Sequence, residues 1–467
     1  MIEGERPIRA RRAAPAARAV ALLTAVSLLA SPTAASAQGG IPLIRDAEIE
    51  QLLREYTQPI LRAAGLAKQN IQIVLINDRS FNAFVMDGRR IFMNAGLLMD
   101  AKTPNEVIGV LAHETGHIAG GHLSRLRQQL AMAQTQSIIA VLLGAGAMIA
   151  ASRGGVGGNP AAAIMGPQES IRRSLLSYIR SQEEQADRAA VKFLNDTGQS
   201  PKGMYETFKR LADQVLFVAH NADPYLSTHP LPAERVSSLG ALARTSPHWD
   251  KKDSPELQLR HDMMRAKLIG FLDRGDTVAR RYPFSDNSLP ARYARAIATY
   301  RHGALRGAVG QIDALIQAQP GNPYFHELKG QALLEGGKPA EAIAPLRRAA
   351  QLAPSPALIQ VMLGQALNAT NDPKLAGEAV KLLRSALMRE PEASQGYAQL
   401  AMAYSRTGNL AEADLAAAQA AFFRGDHKTA RDIASRAKTR FPVGSPGWVK
   451  ADDLATYKPP NLGSGPR

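Results

Sequence analysis

Gly330 and Gly364 stand 34 residues apart, and each opens the same series of small and apolar positions. Ala342, Leu346, Ala349 and Pro354 follow the first; Ala379, Leu383, Ala386 and Pro391 follow the second, delayed by three residues. An earlier unit ends at Pro320, and later ones contain Tyr404 and Ala413, then Ala430, Ala434 and Pro442. A recurrence of this length is one pair of helices: the small residue admits the partner helix, Leu and Ala fill the seam, and Pro ends the second helix. Such a pair cannot bury its apolar face alone, so neighbouring pairs must stack. Residues 286–443 are therefore expected to form an all-α solenoid. Residues 256–285 are expected to be a helical capping or linking segment, and residues 444–467, rich in Pro and Gly, an irregular tail.

The remaining chain is long enough for a second domain with its own core, placed at 38–255. A helix is expected from about Ile44 to Ala64. "IQIVLIND" from Ile71 has the β-branched enrichment of a strand, and "FNAFVMDGRRIFMNAGLL" from Phe81 reads as a hairpin around Asp87-Gly88. "TPNE" then starts a helix: Thr103 as cap, Pro104 in the first turn, Glu106 in position for a capping box. The helix runs through "HETGH". Four residues of rise put His113 and His117 roughly 6 Å apart along the axis on nearly one face. Their imidazoles can converge on one cation.

Glu114 lies one helical step from that pair, placed to take a proton from a water and to return it to a leaving amine. On its own the pentad favours zinc hydrolysis over a chance pattern on an ordinary helix, and a third ligand has to decide. "SYIRSQEEQADRAAVKFL" offers one: Glu183 can enter a Zn²⁺ shell while Asp187, four residues on, accepts the other ring N–H of a ligand histidine. His122 is five positions beyond His117, off that face, and reads as a polar helix-end residue. The Gly120-Gly121 doublet leaves the helix geometry there open.

The chain has no cysteine, which excludes disulfides and thiolate zinc sites. Arg6, Arg9, Arg11, Arg12 and Arg18, then "AVALLTAVSLLA", then Ala35-Ser36-Ala37 read as a signal peptide cleaved before Gln38, with export to the periplasm. An N-terminal anchor or a buried helix is the alternative. Removing residues 1–37 takes away five Arg and two Glu, so the net charge of +15 becomes +12. No recognisable nucleic-acid module accompanies this basicity, and no nucleic-acid partner is expected. "SIIAVLLGAGAMIAA" (137–151) is apolar and short for a membrane span; it can pack on the catalytic helix or make peripheral membrane contact. "RGGVGGNP" beyond it suits a loop bordering a cleft.

HETGH and YIRSQEEQAD together resemble the zinc metallopeptidase family that includes the CAAX prenyl endopeptidases and bacterial membrane-quality-control proteases. That family's pattern is HExxH plus YSRxxExxAD, and Ile179 replaces the usual serine. The resemblance implies an α+β zinc metallopeptidase domain, predominantly helical with a small sheet. It carries zinc ligation to His113, His117 and Glu183, base function to Glu114 and histidine orientation to Asp187. Asn82, Ala83 and Phe84 resemble the family's cleft strand, which takes an extended polypeptide by strand addition. "LSTHPLPAER" implies His229 as a regulatory fourth ligand and Arg235 as a cleft residue. The repeats are similar to tetratricopeptide units. Signal, peptidase and repeats in this order resemble periplasmic family members that combine proteolysis with chaperone-like help. The partners implied are unfolded or misassembled outer-membrane proteins and the beta-barrel assembly machinery. The alternative is a latent or non-proteolytic tetratricopeptide chaperone or adaptor.

Overall fold

In the computed structural model, residues 42–132, 160–217, 225 and 229–459 are described. The signal segment, the apolar stretch 137–151 and the loop that follows it lie outside them. Asp46 caps helix α1 (Ala47–Ala63) by accepting from Ile49 N–H, which starts that helix three residues later than expected. Ahead of it Leu43–Ile44 forms a short strand, β1. With β2 (Gln72–Ile76), β3 (Ala83–Val85) and β4 (Arg90–Asn94) it makes a four-stranded sheet in the order β1-β2-β4-β3. The β2–β4 pair is parallel, and the other two are antiparallel. The β3–β4 hairpin turns where expected, with Gly88 at φ 75°, a value only glycine adopts freely. Its strand β3 is at the edge of the sheet.

A short helix α2 (Ala95–Asp100) leads into α3 (Pro104–Ala119). Thr103 caps α3 as expected, accepting from Glu106 N–H. Glu106 reaches back to Lys102 N–H rather than to the cap residue, and its other oxygen is held at 3.0 Å by Arg210. Helix α4 (Pro160–Asp196) packs against α3, as does α5 (Lys202–Phe217); α6 (Ala233–Arg244) closes the group. A helix interior with Gly at the crossing lets backbones approach. A methyl on Gly109 would sit 2.5 Å from Met204 Cβ, and one on Gly116 2.8 Å from Ala186 O.

Helix α7 (Pro255–Leu272) lies in the stretch expected to be a helical capping or linking segment, 256–285. Met263, Met264, Leu268 and Ile269 are buried in the same core as Ile49, Leu97 and Val110. That core continues into Tyr293, Ile312 and Phe325 of the first repeats. Buried Lys267 of α7 joins the halves: its ammonium is 2.7 Å from Asp46 and 3.2 Å from Glu48, while Tyr293 donates to Glu48. Paired in this way, the buried charges are tolerated.

After α8 (Gly275–Arg281), successive helix pairs stack from Leu289 to Thr456. The repeat register is visible in two matched contacts: Leu346 occupies the space left by the missing side chain of Gly330, and Leu383 that of Gly364. The three extra residues all lie in the second helix of the later pair, Pro373–Arg389, which has 17 residues against 14 in Pro339–Leu352. The expected irregular tail is instead partly helical. Ser445 caps Pro446–Thr456, and Ala451 packs with Leu415 and Ala437, burying the last apolar edge of the solenoid. No helix among the described residues is long and apolar enough to cross a membrane.

Candidate metal centre

His113 and Glu114 are fully buried in the last turns of α3, and His117 sits one turn on at the edge of solvent. The missing Cβ of Gly116 brings α4 close enough for Glu183 to face both imidazoles. Its carboxylate oxygens stand 3.4 Å from His113 Nε2 and 3.3 Å from His117 Nε2. His229, from a separate segment, adds a fourth donor: Nδ1 lies 3.4 Å from His113 Nε2 and 3.2 Å from Glu183. The two α3 histidines have their Nε2 atoms 3.1 Å apart. A tetrahedron built on the zinc–nitrogen and zinc–oxygen bond lengths usual in proteins has edges of roughly 3.3 Å. The five separations, 3.1–3.4 Å, are close to that edge length, with Glu183 turning Oε2 toward His113 and His229 and Oε1 toward His117, and all four donors lie within 4.8 Å of one another.

The outer atoms explain the orientation of each ring. Asp187 is 3.0 Å from His113 Nδ1, which leaves Nε2 directed at the other donors. His229 Nε2 donates to the Ala83 carbonyl at 3.3 Å, so Nδ1 is the free lone pair. Phe208 stands edge-on to His113, and Tyr225 stacks on His229 with ring centres 4.6 Å apart. Arg235, expected at the cleft, contacts the donor set directly. It is buried behind the donors, with Nε 2.7 Å from Asp187 and Nη1 2.7 Å from Glu183. One guanidinium thus holds a candidate ligand and the carboxylate that orients another, a fork geometry that lysine lacks.

Burial opposes charge on Glu183, yet the imidazoles of His229 and His113 hold its carboxyl well below the ordinary value. Burial likewise opposes charge on Asp187, and Arg235 keeps its carboxyl low. His117 is depressed by burial and by neighbouring His113, which favours the neutral, ligating form. Glu114 goes the other way: burial raises it, only partly offset by His229 and His113. Neither oxygen of Glu114 has a hydrogen-bond partner among the described residues, and His229 Nε2 is 3.5 Å from Oε1. A buried carboxylate without donors is costly, and it suits a site that receives a polar ligand. Three neutral or neutralisable nitrogens, one carboxylate and this orphaned acid fit a divalent metal with a water-activating base.

Of the expected cleft strand, Ala83 is fully buried and Asn82 nearly so, and Asn82 accepts from Asn94 N–H through its backbone carbonyl. Phe84 is half-buried and stacks on Phe92. Tyr225 and Phe208 went unread in the sequence. Tyr225 precedes His229 by four residues, the one signal that could have paired their rings.

The close crossing at Gly116 yields a direct check. Gly116→Val should destabilise the fold by about 1–3 kcal/mol through overpacking and lower zinc affinity by moving Glu183 away. Thermal unfolding and zinc titration read the two effects; a variant unchanged in both would show that the crossing does not set the site.

Residues 44–243 match peptidase family M48. Metalloprotease LoiP of Escherichia coli (strain K12) is 30% identical over 194 residues, 40% of this chain and 69% of that protein. The chain belongs to peptidase family M48. It is a metallopeptidase, and its four-donor group is a possible metal site. The similarity of this M48 chain to longer relatives extends into the helix pairs. Beta-barrel assembly-enhancing protease of Yersinia pestis is 27% identical over 416 residues, 86% of this chain and 82% of the relative. The protein of the same name from Escherichia coli (strain K12) is 25% identical over 420 residues, 87% and 82%.

Proposed function

We propose that the protein is a zinc-dependent endopeptidase of the bacterial periplasm that cleaves unfolded or misassembled outer-membrane proteins and assists their assembly. The observation that carries the chemistry is the meeting of His113, His117, Glu183 and His229 beside the unpartnered carboxylate of Glu114. His113, His117 and Glu183 hold zinc. The ion supplies polarisation of the scissile carbonyl and eases deprotonation of water. Glu114 accepts the water's proton and passes it to the leaving amine; burial raises its pKa, which helps it return that proton. Asp187 fixes the His113 tautomer, and Arg235 holds Asp187 and Glu183 in place.

The edge strand β3 takes an extended substrate by strand addition, independent of particular side chains. Its Ala83 carbonyl is engaged by His229. His229 therefore opposes activity twice, at the fourth metal position and at the backbone acceptor that a substrate strand would use. A catalytic zinc site needs an open position. The arrangement supports a latent resting state, in which the repeats act as a binding surface until His229 withdraws. Selection of outer-membrane proteins and contact with the assembly machinery are supported by the names of the two long relatives and by the repeat domain. The basic, apolar and small-residue pattern of residues 1–37 supports export.

His229→Ala should keep zinc bound and increase cleavage of an unfolded polypeptide. Zinc content and cleavage rate must be measured together. Loss of cleavage with intact fold and full zinc would instead assign His229 a direct catalytic role. The function itself is tested by comparing new protein termini in envelope fractions carrying the wild-type protein or Glu114→Gln. Termini from outer-membrane proteins that depend on the wild type are expected. Identical termini would favour the adaptor reading, which the gathering of four protein donors supports.

A further inference from the structure

On a continuous helix, position 122 would point about 140° away from position 117. The chain does not continue straight. Helix α3 ends at Ala119, Gly121 adopts φ +62°, and residues 122–132 are helical again in a new direction. This left-handed step is open to glycine at little cost, and it folds His122 back over His117. The two Nδ1 atoms lie 3.0 Å apart, with the rings nearly perpendicular. His122 is 3% exposed. Its backbone carbonyl accepts from Gln182, the residue before Glu183, which ties the turn to the ligand helix. The ring lies against Gly120, where an added methyl would stand 2.3 Å from Nε2. Both glycines of the doublet thus serve one placement.

We propose that His122 is a positioning residue for the metal centre: its Nδ1 accepts the hydrogen bond donated by His117 Nδ1–H, and so directs His117 Nε2 at the metal. His122 does for His117 what Asp187 does for His113. The difference is chemical. Asp187 brings a charge, shared with Arg235, whereas a buried neutral imidazole orients its partner without adding one. The centre therefore gains a fixed second histidine while its donor set keeps the single carboxylate of Glu183. A neutral His122 that accepts at Nδ1 must carry its own proton on Nε2.

This inference rests on the metal-centre reading and is tested on the full chain with zinc itself as the probe. Competition titration against a chromogenic chelator gives affinity, and thermal unfolding of the stripped protein gives stability. His122→Leu removes the acceptor and should weaken zinc binding about 10–100-fold. His122→Asn keeps an acceptor oxygen near the former Nδ1 and should recover most of that loss. Gly120→Ala perturbs the ring from its other side. Gly120 has φ −73°, so alanine suits the backbone; its methyl must displace the His122 ring, and affinity should fall. Wild-type affinity in both His122→Leu and Gly120→Ala would overturn the assignment, as would equal weakening in the Leu and Asn variants. Should His122→Leu not fold, imidazole NMR of the zinc-loaded wild type decides. A proton on His122 Nε2 supports the proposal, and one on Nδ1 overturns it. Failure of the wild type to bind zinc would remove the metal-centre reading as well, so the two failures are told apart.

Discussion

Glu114→Gln is expected to lower cleavage of an unfolded polypeptide by about 10²–10⁴-fold, the range over which a positioned general base contributes. Zinc content should stay at the wild-type level, because Glu114 is not among the four converging donors. Stability should not fall either. The side chain is fully buried without hydrogen-bond donors, and its carboxyl is pushed up by burial. A neutral amide of the same shape therefore replaces a group that is costly to ionise there. Those three readouts form one signature: rate lost, metal kept, fold kept. Undiminished cleavage by zinc-loaded, folded Glu114→Gln would remove Glu114 from the role of base. Loss of zinc together with activity would show that the carboxylate supports the donor set.

Glu183→Gln should have the largest effect on metal retention. Glu183 is the one anionic member of the donor set, and it faces His113, His117 and His229 at 3.2–3.4 Å. The amide keeps an oxygen but loses the charge that attracts a divalent ion, and it leaves Arg235 Nη1 beside a neutral group. Zinc affinity should fall by more than the roughly 10–100-fold that loss of a supporting partner causes. Asp187→Asn, which acts on His113 from behind, should stay within that span. Titrations of folded protein, checked by thermal unfolding, give the order. Equal affinity in wild type and Glu183→Gln would sink the assignment of Glu183 as a ligand.

Local chemistry made much of this molecule legible from its residues. Thr103 and Pro104 start α3 where a capped helix should start, since a cap needs only its own neighbours. His113 and His117 share a face because helical spacing demands it, and Glu183 with Asp187 does the same on α4. Their four-residue spacings announce two half-sites. The recurring Gly, Leu and Ala positions likewise dictate a stack of helix pairs, because each pair must bury the same stripe against the next. Gly330 facing Leu346 and Gly364 facing Leu383 are that rule at atomic scale.

What spacing does not carry is the meeting of segments that are distant in sequence, or a break in periodicity. His229 enters the donor set from 116 residues beyond His113, and no local rule brings its Nδ1 there. Arg235 is buried against Asp187 and Glu183, a pairing that a guanidinium out of solvent requires and that no local spacing announces. Helix α7 was expected as a helical capping or linking segment, and its own periodicity does not say which core its methionines enter. Pro446–Thr456 passed for a tail because Pro and Gly mark helix starts as well as irregular chain. His122 is the sharpest case. Helical spacing sends it away from the site, and one left-handed glycine, Gly121, returns it. The residues determined which chemistry was possible and on which helices; tertiary packing alone decided which side chains gather into the four-donor group.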